Sequence, residues 1–213
     1  MKRTNIRKNL SNHLRRNKWK YLLAFLNIFL GVLAGSLTAA MSSVNKFESI
    51  DLYVRNFVSA YNLQTVDGAE IFRFSVYNSI KVILFMWVSG ISVWLLPLGF
   101  VQLAAKGYKL GISMASFVRV FSVRGILFSL ISALPQLLLF LPAMAVYAVF
   151  NIKFATTLFR MRGQRVASNI KNEMYLNNFL HLLGIITVSV MCSLVDAFVM
   201  PIILKPVCSF LIR

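Results

Sequence analysis

The chain has 213 residues, with 23 Lys and Arg against 6 Asp and Glu, a formal net charge of +17, 58% hydrophobic residues and only 14% charged ones. A soluble domain of this length has no interior large enough to bury so much apolar surface, which excludes a water-soluble globule. With 10 Gly and 2 Cys in so apolar a chain, disorder, collagen and disulfide frameworks are excluded too, and an all-α, polytopic helical membrane protein remains.

Residues 1–20 form a basic tail. Lys2, Arg3, Arg7, Lys8, Arg15, Arg16, Lys18 and Lys20 precede the first apolar run with no acid among them, which places the N-terminus in the cytoplasm. The charge requires no nucleic acid, because membrane lipid with anionic headgroups attracts such segments by about 1 kcal/mol per residue. Tyr21 to Ala40 is the first charge-free run able to cross about 30 Å of hydrocarbon. It reads as an uncleaved anchor, its n-region and apolar run being longer than those of a signal peptide. Gly31 and Gly35 form a GxxxG pattern, which serves either self-association through this span or packing inside the protein.

The loop at 41–75 holds four of the six acids. In it Phe47, Ile50, Val54, Phe57, Val58 and Tyr61 recur at intervals of three and four with polar residues between them. This predicts an amphipathic helix on the outer side, either lying in the headgroups or docking a partner's outer domain. Asp51 and Arg55 are spaced for an i to i+4 ion pair. Asp67-Gly68-Ala69-Glu70 has capping-box spacing and predicts a helix start. Arg73, Tyr77 and Lys81 then line one face as anchors at the outer surface.

Val82 to Val101 is the expected second span. Gly107 to Val123 is a short third, interrupted by Lys109 and Arg119. It crosses as a tilted helix with those side chains reaching opposite interfaces, or it is re-entrant. Ile126 to Phe150 and Phe179 to Leu204 complete a five-span layout with an extracytoplasmic C-terminus; the alternative has four spans. Residues 151–178 form a basic cytoplasmic loop, and the whole reads as one membrane domain. Gly107 and Gly111 repeat the small-residue spacing, and Pro97, Pro135, Pro142 and Pro201 are expected to kink their helices, with Gln136 placed to satisfy a freed carbonyl.

Catalysis needs convergent ligands or a nucleophile with a base, and the chain shows no HExxH, Walker A or GxGxxG motif and only two His, His13 and His181. The expectation is a non-enzymatic protein without catalytic residues, cofactor or metal. Asp196 is the one acid at membrane depth and needs a partner. An interhelical pair with Arg124 or Arg119 is expected, a proton-pathway role being the alternative.

Trp87 and Gly90, Leu96-Pro97-Leu98, Lys106-Gly107 with Gly111, Leu134-Pro135-Gln136 and Leu141-Pro142-Ala143 together resemble the stage II sporulation protein M family, as does the basic opening of the chain. Leu137 departs from the polar residue the family often has there. The resemblance implies a five-span membrane scaffold in the mother cell, at the sporulation septum. There it would assemble a peptidoglycan-degrading complex with stage II sporulation proteins D and P during engulfment. The rival from another class is a small-solute or ion transporter or channel subunit, which requires polar positions lining several spans.

Overall fold

The computed structural model describes residues 17–41, 44–62, 67–161 and 168–212. The basic tail before Asn17 and the connection at 162–167 lie outside it. Among the described residues every element is helical: α1 (Lys18–Met41), α2 (Val44–Asn62), α3 (Gly68–Ser89), α4 (Leu96–Pro135), α5 (Leu141–Met161), α6 (Ser168–Leu194) and α7 (Met200–Ile212). A 3-10 turn, Val93–Leu95, precedes α4, and single π-helical turns, Gln136–Phe140 and Val195–Val199, join α4 to α5 and α6 to α7.

Four helical stretches are long and apolar enough to cross a membrane: Lys18–Met41, Gly68–Ser89, Val93–Met161 and Asn169–Cys208. α1 shows why lipid surrounds them. Its buried stripe, Tyr21, Ala24, Ile28, Gly31, Gly35 and Ala39, contains mostly small side chains, while Leu22, Leu23, Phe29, Leu30 and Leu37 are exposed. A helix that presents its large apolar residues outward is stable only where the solvent is hydrocarbon.

The small stripe has a specific use. Gly31 lies against the backbone of Ala104, Gly35 against Tyr108, Gly107 against Ile28 and Gly111 against Val32. Both glycine pairs of the sequence are thus spent on one internal interface between α1 and α4. Residue numbers rise together along the contact, so α1 and the start of α4 run parallel.

α4 is two limbs. At Ser122 the backbone takes φ 52°, ψ −131°, and the chain doubles back. Gly125 packs on the backbone of Phe117, and the Phe117 and Phe128 rings lie 4.7 Å apart. The limb at 96–121 therefore runs parallel to α1, and the limb at 123–135 returns, continuing through α5. α6 runs antiparallel to α5, with Phe150 stacked on His181 at 3.9 Å and Phe154 on Tyr175 at 5.5 Å. α3 is antiparallel to α6 in turn: Gly68 sits by Ala197, and Ser75 Oγ donates to Ser193 Oγ at 2.9 Å.

These boundaries correct two expectations. Val82 to Val101 is not one helix, because Gly90 closes α3 with its N–H on the carbonyls of Met86, Trp87 and Val88. The space a Cβ there would fill is taken by Asn151, 2.8 Å away, whose Nδ2 donates to Met86 O at 3.0 Å. The short segment expected from Gly107 is the middle of a long limb that begins at Leu96, with Pro97 in its first turn. Proline there starts a helix rather than kinking one, since the first-turn N–H has no partner to lose. At the other end the expected cap is present: Asp67 Oδ1 accepts from Ala69 N at 2.9 Å and α3 begins at Gly68.

The two π-turns share one cause. Each is followed at its second residue by a proline, Pro142 after Gln136–Phe140 and Pro201 after Val195–Val199. Proline cannot donate to the carbonyl four residues back and its ring crowds it. The ladder slips to i→i−5 instead, Leu141 N donating to Gln136 O and Met200 N to Val195 O.

Two apolar cores result. The inner one gathers Ala24, Ile83, Met86, Leu103, Met144 and Leu182 with their neighbours. The outer one gathers Val54, Val58, Phe117, Phe128, Met200, Leu204 and Cys208.

Candidate functional site

Between the two cores lies a polar cavity of about 240 Å³. α3 contributes Ser75, Asn78 and Ser79, the first limb of α4 Lys106, the second Ser132, and α6 Cys192 and Ser193. The π-turns supply Gln136 and Asp196, and Phe57 of α2 closes the outer end. Irregular backbone in a membrane protein persists where it lines a cavity within the protein. Both π-turns do so here, and each brings one polar side chain to the same space.

Lys106 is the half-buried cation of this site. Its Nζ lies 4.9 Å from the centre of the Phe140 ring, a cation–π contact that partly replaces lost hydration. Asp196, also half-buried, lines the same cavity, and the Gln136 amide and Lys106 ammonium are the groups that act on its carboxyl. Around them Ser75 and Ser193 satisfy each other, and Cys192 Sγ donates to Pro135 O at 3.5 Å. The arrangement holds one positive and one negative charge together within the helix bundle, where either alone would be costly.

The expected pairing of Asp196 with Arg124 or Arg119 is therefore replaced by Lys106 and Gln136. The reason is depth. Both arginines flank the reversal at Ser122, whereas Gln136 lies twelve residues beyond Arg124, about 18 Å down a helix rising 1.5 Å per residue. Arg119 instead donates from Nη1 to Ala39 O at 3.0 Å, capping the end of α1. Gln136 turns to the carboxyl rather than to a carbonyl freed by Pro135.

The apolar face of α2 is also placed differently from a partner-docking surface. Val54 and Val58 are buried, and Ile50 and Phe57 pack beside them on Phe117, Phe128, Met200 and Leu204. The Phe57 ring stands 5.9 Å from Phe117 and 6.5 Å from Phe128, both edge-on. The side chains of Phe47 and Tyr61 lie outside the described ones. The helix is thus clamped to the bundle's outer end, with Arg55 held by Asp51 at 3.0 Å and over the Phe121 ring at 5.9 Å. Leu52 and Tyr53 face outward, 58% and 71% exposed.

Sequence reasoning missed Lys106, Asn78 and Asn151. Lys106 immediately precedes Gly107, whose pairing with Ile28 fixes it halfway along α1. Matching the two glycine pairs would have revealed that depth. Among the described residues no three of His, Cys, Asp and Glu come together.

The family model of Stage II sporulation protein M matches residues 23–201, which takes in every cavity-lining residue except Leu204. The chain belongs to the Stage II sporulation protein M family. As a Stage II sporulation protein M family chain it is a sporulation membrane protein, and the matched span runs from the first turns of α1 to the second residue of α7. No curated protein and no solved structure matches it.

Proposed function

We propose that the protein is a non-catalytic membrane scaffold that assembles a peptidoglycan-degrading complex for engulfment, with stage II sporulation proteins D and P as its partners at the mother-cell face of the septum. The observation that carries this reading is the clamped outer helix. A lone amphipathic helix would sink its apolar face into lipid. Here that face is seated on the protein's own core, so Leu52, Tyr53, Asn56 and Ser59 form a fixed exposed edge beside the outer ends of the spans. A rigid edge with an exposed aromatic suits contact with domains outside the membrane. No observation favours transport.

The reading includes five passes, with a cytoplasmic N-terminus and an outer C-terminus. It is supported by the parallel run of α1 and the first limb of α4 and by the reversal at Ser122. A reporter fused after Arg213 tests the passes, and activity characteristic of the cytoplasm would overturn them. The scaffold itself is tested by co-purifying the outer domains of the two partners with the full chain and with Leu52→Ala/Tyr53→Ala. Recruitment should fall at least about tenfold if this edge holds a hot spot. Undiminished recruitment would remove the edge from the account.

A further inference from the structure

Three lysines meet at one depth of the bundle. Gly99, in the first limb of α4, rests against Ser89 at the end of α3, which levels the two helices at that point. Lys81 stands about 12 Å above Ser89, and Lys109 about 15 Å above Gly99, at 1.5 Å per residue. Trp94, 81% exposed in the connection between these helices, marks the inner interface. Half of a hydrocarbon layer is about 15 Å, so both lysines sit near its centre. A lysine stem is too short to reach headgroups from there.

Both side chains are exposed. Lys81 follows the cavity-lining Phe74 by two turns and Asn78 by three residues, and Lys109 follows Lys106 by three. They therefore lie on the exposed faces of α3 and α4 next to the faces that line the cavity. Lys81 leans over the Tyr77 ring at 4.8 Å, one turn toward the outer side. Ala105 and Ser113 flank Lys109 at spacing four, small enough to admit another helix at close range.

Against these three cations stands one acid, Asp196. The remaining acids lie elsewhere: Glu48, Asp51, Asp67 and Glu70 at the outer end, Glu173 in the first turns of α6. A second copy in the same orientation brings no further carboxylate to this depth, and lipid phosphates lie a full half-layer away. We propose that the exposed face at Lys81 of α3 and Lys109 of α4 seats a transmembrane helix of another protein carrying a carboxylate near its midpoint, which pairs with Lys109 and Lys81. The proposal goes beyond the scaffold reading, depends on the span directions and not on the outer helix, and stands or falls separately from partner recruitment at Tyr53.

The test uses the purified full chain in liposomes, labelled with a donor fluorophore, and a synthetic acceptor-labelled leucine helix with a single central Glu. An all-Leu helix of equal length is the reference. The Glu helix should bind about five- to thirtyfold more tightly, the range for a buried polar contact between membrane helices. Lys81→Leu/Lys109→Leu should abolish the difference, and Lys81→Glu/Lys109→Glu should restore it toward a helix with a central Lys, which also shows that the variant is folded. Equal binding of the two helices, or a preference that survives in the double Leu variant, overturns the proposal. So does energy transfer between labelled copies of the chain that vanishes in that variant, since the occupant would then be a second copy. A preference lost on adding anionic lipid would name a headgroup as occupant and overturn it equally.

Discussion

The Cα of Gly107 rests on the carbonyl of Ile28, so closely that any β-carbon there would collide with the oxygen. Gly31, Gly35 and Gly111 stand in the same relation to the opposite backbone. Leu at Gly107 must push α1 and α4 apart, with a loss of about 3 kcal/mol or more, at the upper end of overpacking effects. Thermal denaturation in detergent, followed by monodisperse recovery, should show a clear fall. Gly184→Ala is the control, because nothing lies within 4 Å of a Cβ there, and it should hold the midpoint or raise it slightly, alanine favouring a helix interior over glycine by up to about 1 kcal/mol.

Asp196 and Lys106 should behave as a coupled pair. Asp196→Asn or Lys106→Met alone leaves the other, half-buried charge without its counterpart and should destabilise by about 1 kcal/mol, less than the loss at a fully buried pair. The double variant should recover much of that loss. A double-mutant cycle reads the coupling directly, and a cycle of Asp196→Asn with Arg124→Gln should be additive instead. Coupling to Arg124 and none to Lys106 would refute the cavity geometry.

Ser122 is the one described non-glycine residue with positive φ. Its conformation is strained for an L side chain and natural for glycine. Ser122→Gly should therefore stabilise the protein by about 1 kcal/mol, and Ser122→Val should destabilise it by more. Comparing the two denaturation midpoints checks the sign as well as the size.

Ser75 and Ser193 lie within hydrogen-bonding distance on different helices. In a chain with Cys192→Ala and Cys208→Ala, the pair Ser75→Cys/Ser193→Cys should form a disulfide on mild oxidation in membranes. A shifted gel band that collapses on reduction is the expected result. The pair Ser75→Cys/Ser189→Cys, one helical turn away, should give little.

Much of the fold could be read from residue order, for identifiable reasons. The spans of α1 and of α5 with the second limb are long charge-free runs. The cap at Asp67 and the amphipathic pattern of α2 depend on local spacing alone. The first limb of α4 is not legible as one long helix because Lys106, Lys109 and Arg119 interrupt its apolar run. The neighbours of Asp196 are not legible because Lys106 and Gln136 lie far from it in the sequence, and only helix packing brings the three to one cavity. The destination of the apolar face of α2 was open, since periodicity tells that a face will be covered but not by what.

The two π-turns have a consequence for reading any such chain. Buried positions along α6 and α7 advance by three or four, as in Leu182, Ile185 and Ser189, or Ala197, Met200, Leu204 and Cys208, and shift phase just before the second π-turn, where the adjacent Cys192 and Ser193 are both buried. At the first π-turn a step of five separates the buried Pro135 from Phe140. Each bulge acts as an inserted residue that absorbs a phase error, so that one unbroken rod can keep its seam aligned with the inner core at one end and the outer core at the other. Removing a single residue from 195–199 would swing the entire C-terminal rod by about 100°, the angle one helical residue subtends, and would part Met200 and Leu204 from the helix they now hold in place.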